Sequence, residues 1–69
     1  MEYQLTNKIK ILRAEKNITQ EELGKACGLS RQSINAIEKG KYVPTVISAL
    51  KIADYFSVAV EKIFKIDKG

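Results

Sequence analysis

The stretch QEELGKACGLSRQSINAIEK, residues Gln20 to Lys39, carries two helix starts and two helix stops within twenty positions. Thr19, just ahead of it, and Glu22 form a T-x-x-E capping box, in which a hydroxyl and a carboxylate each satisfy an orphan backbone N–H of a first helical turn. Gly28 ends that helix after Cys27. Ser30 caps the next one, which runs from Arg31 to Lys39, and Gly40 follows where a helix-terminating residue needs positive φ. Only Gly28 and Leu29 separate the last turn of one helix from the cap of the other. Gly24 and Gly28 put small residues where the two helices must approach. Leu23 and Leu29 before the turn, with Ile34 and Ile37 after it, can bury against one another and hold the second helix steeply across the first, as in a helix-turn-helix.

With Ile34 and Ile37 turned inward, a 3.6-residue period gathers Arg31, Gln32, Asn35, Ala36 and Lys39 on the outward side of the second helix. Arginine can set two parallel donors on guanine O6 and N7, and glutamine or asparagine can match the acceptor and donor of adenine, each for about 1 to 3 kcal/mol of discrimination. Arg31, Gln32 and Asn35 are therefore the expected base contacts in a DNA major groove. Lys39 and Lys41 near the helix end suit phosphates, which position a protein without reading sequence. Ser30 and Ser33 are counted with the phosphate contacts. Tyr42 either joins them or covers the edge of the core. Between Arg31 and Lys41 three basic residues face only Glu38, within a chain of 12 Lys and Arg against 8 Asp and Glu, formally +4. This is the footprint of a protein that meets polyanions.

Working outward, Ile9 and Leu12 mark one face of a first helix from about Leu5 to Lys16, stopped at Asn17. Lys41 to Pro44 is a short loop. Thr45 caps a fourth helix whose apolar positions Val46, Leu50, Ala53 and Phe56 recur at helical spacing, and Val60, Ile63 and Phe64 suggest a brief fifth. The expected fold class is all-α: a compact five-helix bundle forming a single domain over residues 1–69. Tyr3 and Leu5 at one end, with Ile63 and Ile66 at the other, leave open a short pair of terminal β-strands.

The chain has one cysteine and no histidine, so the usual zinc ligand sets and an internal disulfide are both out of reach. Neither a metal nor any other cofactor is expected. No glycine-rich phosphate loop or catalytic cluster is present, so an enzyme is not expected either. No apolar run is long enough to span a membrane and no leader pattern opens the chain, so a cytoplasmic location is expected. Cys27 reads as a small buried filler. Tyr55, Phe56, Val58, Val60, Ile63, Phe64 and Ile66 concentrate more apolar surface at the C-terminal end than so small a core needs. Self-association explains it, with Tyr55, Val58, Val60, Ile63, Phe64 and Ile66 as the interface. A two-fold dimer sets two recognition helices about 34 Å apart, one turn of duplex, on a palindromic site.

The segments LRAEKNITQEELGKACGLSRQSINAIEKGKYVP and ALKIADYF resemble the Cro/CI-type helix-turn-helix family, also called the xenobiotic response element family, over about Asn7 to Phe64. The resemblance implies a lambda-repressor-like bundle and a regulator that binds operator DNA. Repression by occupancy as a homodimer is expected, and an interaction or antitoxin-type module that keeps the fold is the alternative. It also implies that Gln20 anchors a phosphate, that Arg31 and Gln32 approach base edges with Ser33 and Asn35 as secondary contacts, and that Arg13 pairs with Glu38 while lying near a phosphate. Four departures stand out. Gly24 replaces the usual alanine, at about 0.5 to 1 kcal/mol of helix stability and with no change of fold. Ser57 stands where glycine often ends helix four, and Ala59 where a hydroxyl often caps helix five. Ile47 and Ser48 look exchanged, which would either expose Ile47 or shift the register of helix four.

Overall fold

Hydroxyl caps start three of the helices. Thr19 Oγ1 accepts from the Glu22 N–H at 3.0 Å and Glu22 Oε1 accepts from the Thr19 N–H at 2.9 Å, completing the capping box. Ser30 Oγ accepts from the Ser33 N–H at 3.0 Å, and Thr45 Oγ1 from the Ser48 N–H at 3.2 Å. The computed structural model describes residues 3–68, in the order β1 (Tyr3–Asn7), α1 (Ile9–Lys16), α2 (Gln20–Cys27), α3 (Arg31–Glu38), α4 (Val46–Phe56), α5 (Val60–Ile63) and β2 (Phe64–Lys68). The five helices form the expected bundle, and the terminal strands form as well, antiparallel, with Leu5 opposite Ile66 and Asn7 opposite Phe64.

One consequence is that the first helix is shorter than its sequence suggests: it begins at Ile9, not Leu5. Asn7 is the reason. Its Oδ1 accepts from the Ile9 N–H at 3.1 Å while its Nδ2 donates to the Ile37 carbonyl at 2.9 Å, so the side chain turns the backbone from strand into helix and ties that corner to α3. The Lys8 N–H donates to the Ile63 carbonyl at 2.9 Å, which closes the same corner against α5.

The core is mostly branched aliphatic. Ile9, Leu23, Ile34, Ile37, Ile52 and Ile63 are fully buried, joined by Cys27, Ala53 and Phe56. Of the four spaced apolar positions of helix four, Ala53 and Phe56 are buried and Val46 and Leu50 are not. Ile52, Ala53 and Phe56 pack inward, whereas Val46 is 78 % and Leu50 53 % exposed. Leu50 falls well round the helix from that face, and Val46 lies in the first turn, beyond the core's edge. Ile47 is exposed, the first of the two outcomes expected from the inverted order of Ile47 and Ser48, and Ser48 half-buried, its N–H held by the Thr45 cap. Ile63 is 1 % exposed and belongs to the core of the single chain, so it cannot serve the dimer interface assigned to it above. Tyr55, Val58, Val60 and Phe64 are half-buried against that core, and Ile66 stands exposed on β2. Lys16 Nζ lies 5.6 Å from the centre of the Tyr55 ring, linking α1 to α4.

Helix four ends on Ser57 at φ 57°, ψ 41°, with its N–H bonded to the Asp54 carbonyl and the Val58 N–H to the Ala53 carbonyl. Left-handed backbone costs an L-residue about 1 to 2 kcal/mol that glycine escapes, partly offset by glycine's freer unfolded chain. Ser57→Gly should therefore raise the unfolding free energy by about 0.5 to 1 kcal/mol in urea titrations. A lower value than the parent chain would show that the serine side chain contributes more than its backbone strain takes away. Helix five spans only four residues and lacks a side-chain cap at Ala59.

Candidate nucleic-acid interface

The turn between α2 and α3 depends on its two glycines for different reasons. A Cβ at Gly24 would lie 2.5 Å from the Leu29 carbonyl oxygen, so the residue permits the close approach. The alanine usual in the resembling family would force the backbone to shift here, and its effect is not confined to helix propensity. Gly28, also expected at a close approach, has open space around its Cβ position but sits at φ +71°. Its contribution is the left-handed backbone that ends α2. Leu29 then packs against the core while its N–H donates to the Gly24 carbonyl at 2.8 Å.

Helix three ends in a Schellman arrangement, with the Lys41 N–H on the Ala36 carbonyl at 2.9 Å and the Gly40 N–H on the Ile37 carbonyl at 3.0 Å. Lys39, Lys41 and Tyr42 are thereby held exposed at the C-terminal end of α3. Tyr42 borders a hollow of about 560 Å³ between β1 and this loop, lined also by Tyr3, Leu5, Ile37 and Val43. At the other end of α3, Arg31 and Gln32 are exposed, and with Gln20 and Asn35 they surround a smaller hollow of about 210 Å³. Three of the expected base contacts and one expected phosphate contact thus share one concave patch, and the two lysines and Tyr42 lie apart from it. Ser30 Oγ donates to Ser33 Oγ at 3.0 Å, which commits the Ser30 proton and leaves that of Ser33 for an outside acceptor.

Behind the patch runs a chain of polar contacts. Arg13 Nε donates to Glu38 Oε2 at 2.6 Å, Nη2 to Glu38 Oε1 at 3.1 Å, and Nη1 to the Ile18 carbonyl at 3.0 Å. The two side chains are 15 % and 7 % exposed. Arg13 therefore belongs to the ion pair. A simultaneous phosphate contact, the second role expected of it, is disfavoured by this geometry, because all three guanidinium nitrogens are engaged and little of the side chain reaches solvent. Gln20 likewise turns inward: its Nε2 donates to both Glu38 Oε1 and Asn35 Oδ1, each at 3.1 Å. Neither composition nor helical periodicity marks that inward bond. A glutamine at the start of α2, fifteen residues before an asparagine on α3, is the only trace of it.

Cys27 is buried against the core, and burial pushes its thiol pKa up while the nearby Lys51 opposes the shift, so the thiolate is disfavoured. No helix among the described residues is long and apolar enough to cross a membrane.

Comparison with known proteins gives a consistent result. The family model described as Helix-turn-helix (HTH_3) matches residues 9–63. An uncharacterised HTH-type transcriptional regulator of Methanocaldococcus jannaschii is 55 % identical over 60 residues, 87 % of this chain and 91 % of the relative. Another of the same description, from Bacillus subtilis, is 45 % identical over 64 residues, 93 % of this chain and 97 % of that one. Among solved structures, the restriction-modification controller protein C.AhdI of Aeromonas hydrophila superposes with a TM-score of 0.75 at 25 % identity, over 80 % of this chain and 83 % of its own.

Proposed function

The chain belongs to the Cro/CI-type helix-turn-helix family of DNA-binding transcriptional regulators, and from that premise we propose that it represses transcription as a homodimer seated on a palindromic operator. The observation that carries this reading is the outward face of α3. Arg31, Gln32 and Asn35 surround a concave patch there, and the one carboxylate of the helix, Glu38, is turned inward and neutralised by Arg13. A surface meeting phosphates tolerates a carboxylate only when it is so engaged.

In this reading α3 enters the major groove, Arg31 and Gln32 read base edges, and Ser33, Lys39 and Lys41 meet phosphates, with Ser30, Tyr42 and the backbone at Gln20 beside them. The protein is cytoplasmic, takes no cofactor and catalyses no reaction. It blocks polymerase by occupying an overlapping site. The dimer surface lies on the C-terminal elements, around exposed Ile66 with the half-buried Tyr55, Val58, Val60 and Phe64, and Ile63 behind them in the core.

Selection of duplexes from a random library by the purified protein tests the proposal directly. A palindromic winner bound about 10³-fold more tightly than a scrambled duplex at physiological salt supports it. Weak binding without a consensus overturns it and points to a protein partner, for which Val43, Val46, Ile47 and Leu50 offer exposed apolar side chains. Light scattering at high protein concentration checks the dimer, which is rejected if the wild-type chain stays monomeric with the operator present.

The two classes of contact separate in titration. Lys39→Ala should weaken all sequences alike and reduce the slope of log K against log salt by about one. Gln32→Ala should instead relax preference at one position, with the salt slope unchanged. Equal effects on preference from both would reverse the assignment.

A further inference from the structure

Resting on the reading of α3 as the recognition helix, we propose that Asn35 is a specificity-determining residue held as a one-way hydrogen-bond donor, which selects a keto base over an amino base at its position in the operator. Gln20 is the positioning residue that holds it so.

The logic begins at the ion pair. The Glu38 carboxylate can only accept hydrogen bonds, and it faces Arg13 on one side and Gln20 on the other. Gln20 must therefore turn its amide nitrogen, not its oxygen, toward Glu38. That nitrogen has two hydrogens, and its other neighbour is the side-chain amide of Asn35 at 3.1 Å. Two amide nitrogens cannot hydrogen-bond to each other as donors, so Asn35 must offer its oxygen. The direction of each bond follows from the one before it: Arg13 to Glu38, Gln20 to Glu38, Gln20 to Asn35. Asn35 Oδ1 is then engaged toward α2. Among the described residues its Nδ2 hydrogens meet no acceptor, and the side chain borders the hollow shared with Arg31 and Gln32.

A free asparagine reads adenine by presenting oxygen and nitrogen side by side, the expectation drawn from the sequence above. With the oxygen tied to Gln20, Asn35 presents a donor. Major-groove edges divide at their exocyclic position: guanine and thymine carry a carbonyl there, O6 or O4, and adenine and cytosine an amino group, N6 or N4, whereas N7 accepts in both purines and does not discriminate between them. A donor aimed at that exocyclic position is matched by the first pair and opposed by the second. To accept from adenine N6 as well, Asn35 Oδ1 would have to share its two lone pairs between the base and Gln20 Nε2, or swing away from α2 and leave one Gln20 hydrogen without its acceptor.

The test uses the full chain and the duplex selected by the wild-type protein, with all four bases substituted at each position of a half-site. In the wild type, one position should accept guanine or thymine and reject adenine and cytosine by about 5- to 100-fold. Asn35→Asp keeps an oxygen for Gln20 and turns the second into an acceptor, so preference at that position should invert toward cytosine and adenine, whatever general loss the added charge brings. Gln20→Met should leave the chain folded by circular dichroism and let adenine rise to within a few-fold of the keto bases at that same position. Preferences elsewhere should hold. A wild-type operator whose base preferences are untouched by both variants overturns this inference alone. Absence of any specific duplex for the wild type overturns the regulator reading with it.

Discussion

Glu38→Ala is expected to lower the unfolding free energy by about 3 kcal/mol, the cost of leaving a desolvated arginine without its partner. Arg13 and Glu38 are 15 % and 7 % exposed, and the carboxylate receives bonds from both Arg13 and Gln20. Truncation at alanine leaves Nε and Nη2 of Arg13 and one Gln20 hydrogen without acceptors in a place water reaches poorly. A chain of this size has roughly 3 to 10 kcal/mol of total stability, so the loss is a large share of it. Thermal unfolding should move down by about 12 to 24 °C. Replacing both partners, Arg13→Met with Glu38→Leu, should recover much of the deficit, because two apolar side chains leave no stranded charge. The pair ties α1 to the end of α3, so the doubly substituted chain should refold yet present Asn35 less firmly. A Glu38→Ala chain within about 1 kcal/mol of the parent would show that the pair is solvated in solution and does little for the fold.

The elements that local chemistry decides were legible from the sequence. Thr19, Ser30 and Thr45 each accept a hydrogen bond from a backbone N–H three residues on, and Gly28 and Gly40 stop their helices. Such signals need only a few neighbouring residues, so α2, α3 and the turn between them follow from a single reading of the chain. Errors came where two ends of the chain had to meet. Leu5, Ile9 and Leu12 fit a helical period as well as Tyr3, Leu5 and Asn7 fit alternation. What decides for the strand is pairing with residues 64–68, some sixty positions away, together with the turn made by Asn7.

Helix four shows the same limit in another form. Val46, Ile47, Leu50, Ile52, Ala53 and Phe56 leave few positions polar, and a helix apolar on most sides does not declare which face is buried. Packing selected Ile52, Ala53 and Phe56. At the candidate interface, residue types disclosed which side chains could touch DNA, and did not disclose that Gln20 points inward. That orientation depends on Glu38, and Glu38 depends on Arg13, three side chains from three helices. A chain of contacts through tertiary structure leaves little periodic trace in sequence.

Ile63→Asp carries the largest expected effect, and it separates two accounts of the C-terminal apolar cluster. Were Ile63 part of an interface between copies, as its place in that cluster first suggests, an aspartate would split the dimer and leave each chain folded. Its 1 % exposure argues otherwise. It ends the four-residue α5, its carbonyl accepts the Lys8 N–H at 2.9 Å, and β2 begins at the next residue, so its side chain lies under the corner where both chain ends meet. Removing the aliphatic side chain costs about 2 to 5 kcal/mol, and burying a carboxylate without a partner adds several more. The sum matches or exceeds the stability of the whole chain, so circular dichroism should show it unfolded at neutral pH. Ile63→Val should cost only about 0.5 to 1.5 kcal/mol. Ile66→Asp, 66 % exposed and opposite Leu5 on the paired strand, should keep the fold within about 1 kcal/mol. If the C-terminal surface joins two copies, Ile66→Asp is the substitution that lowers the mass seen by light scattering. A folded, monomeric Ile63→Asp chain would instead return Ile63 to the interface and require a different core at that corner.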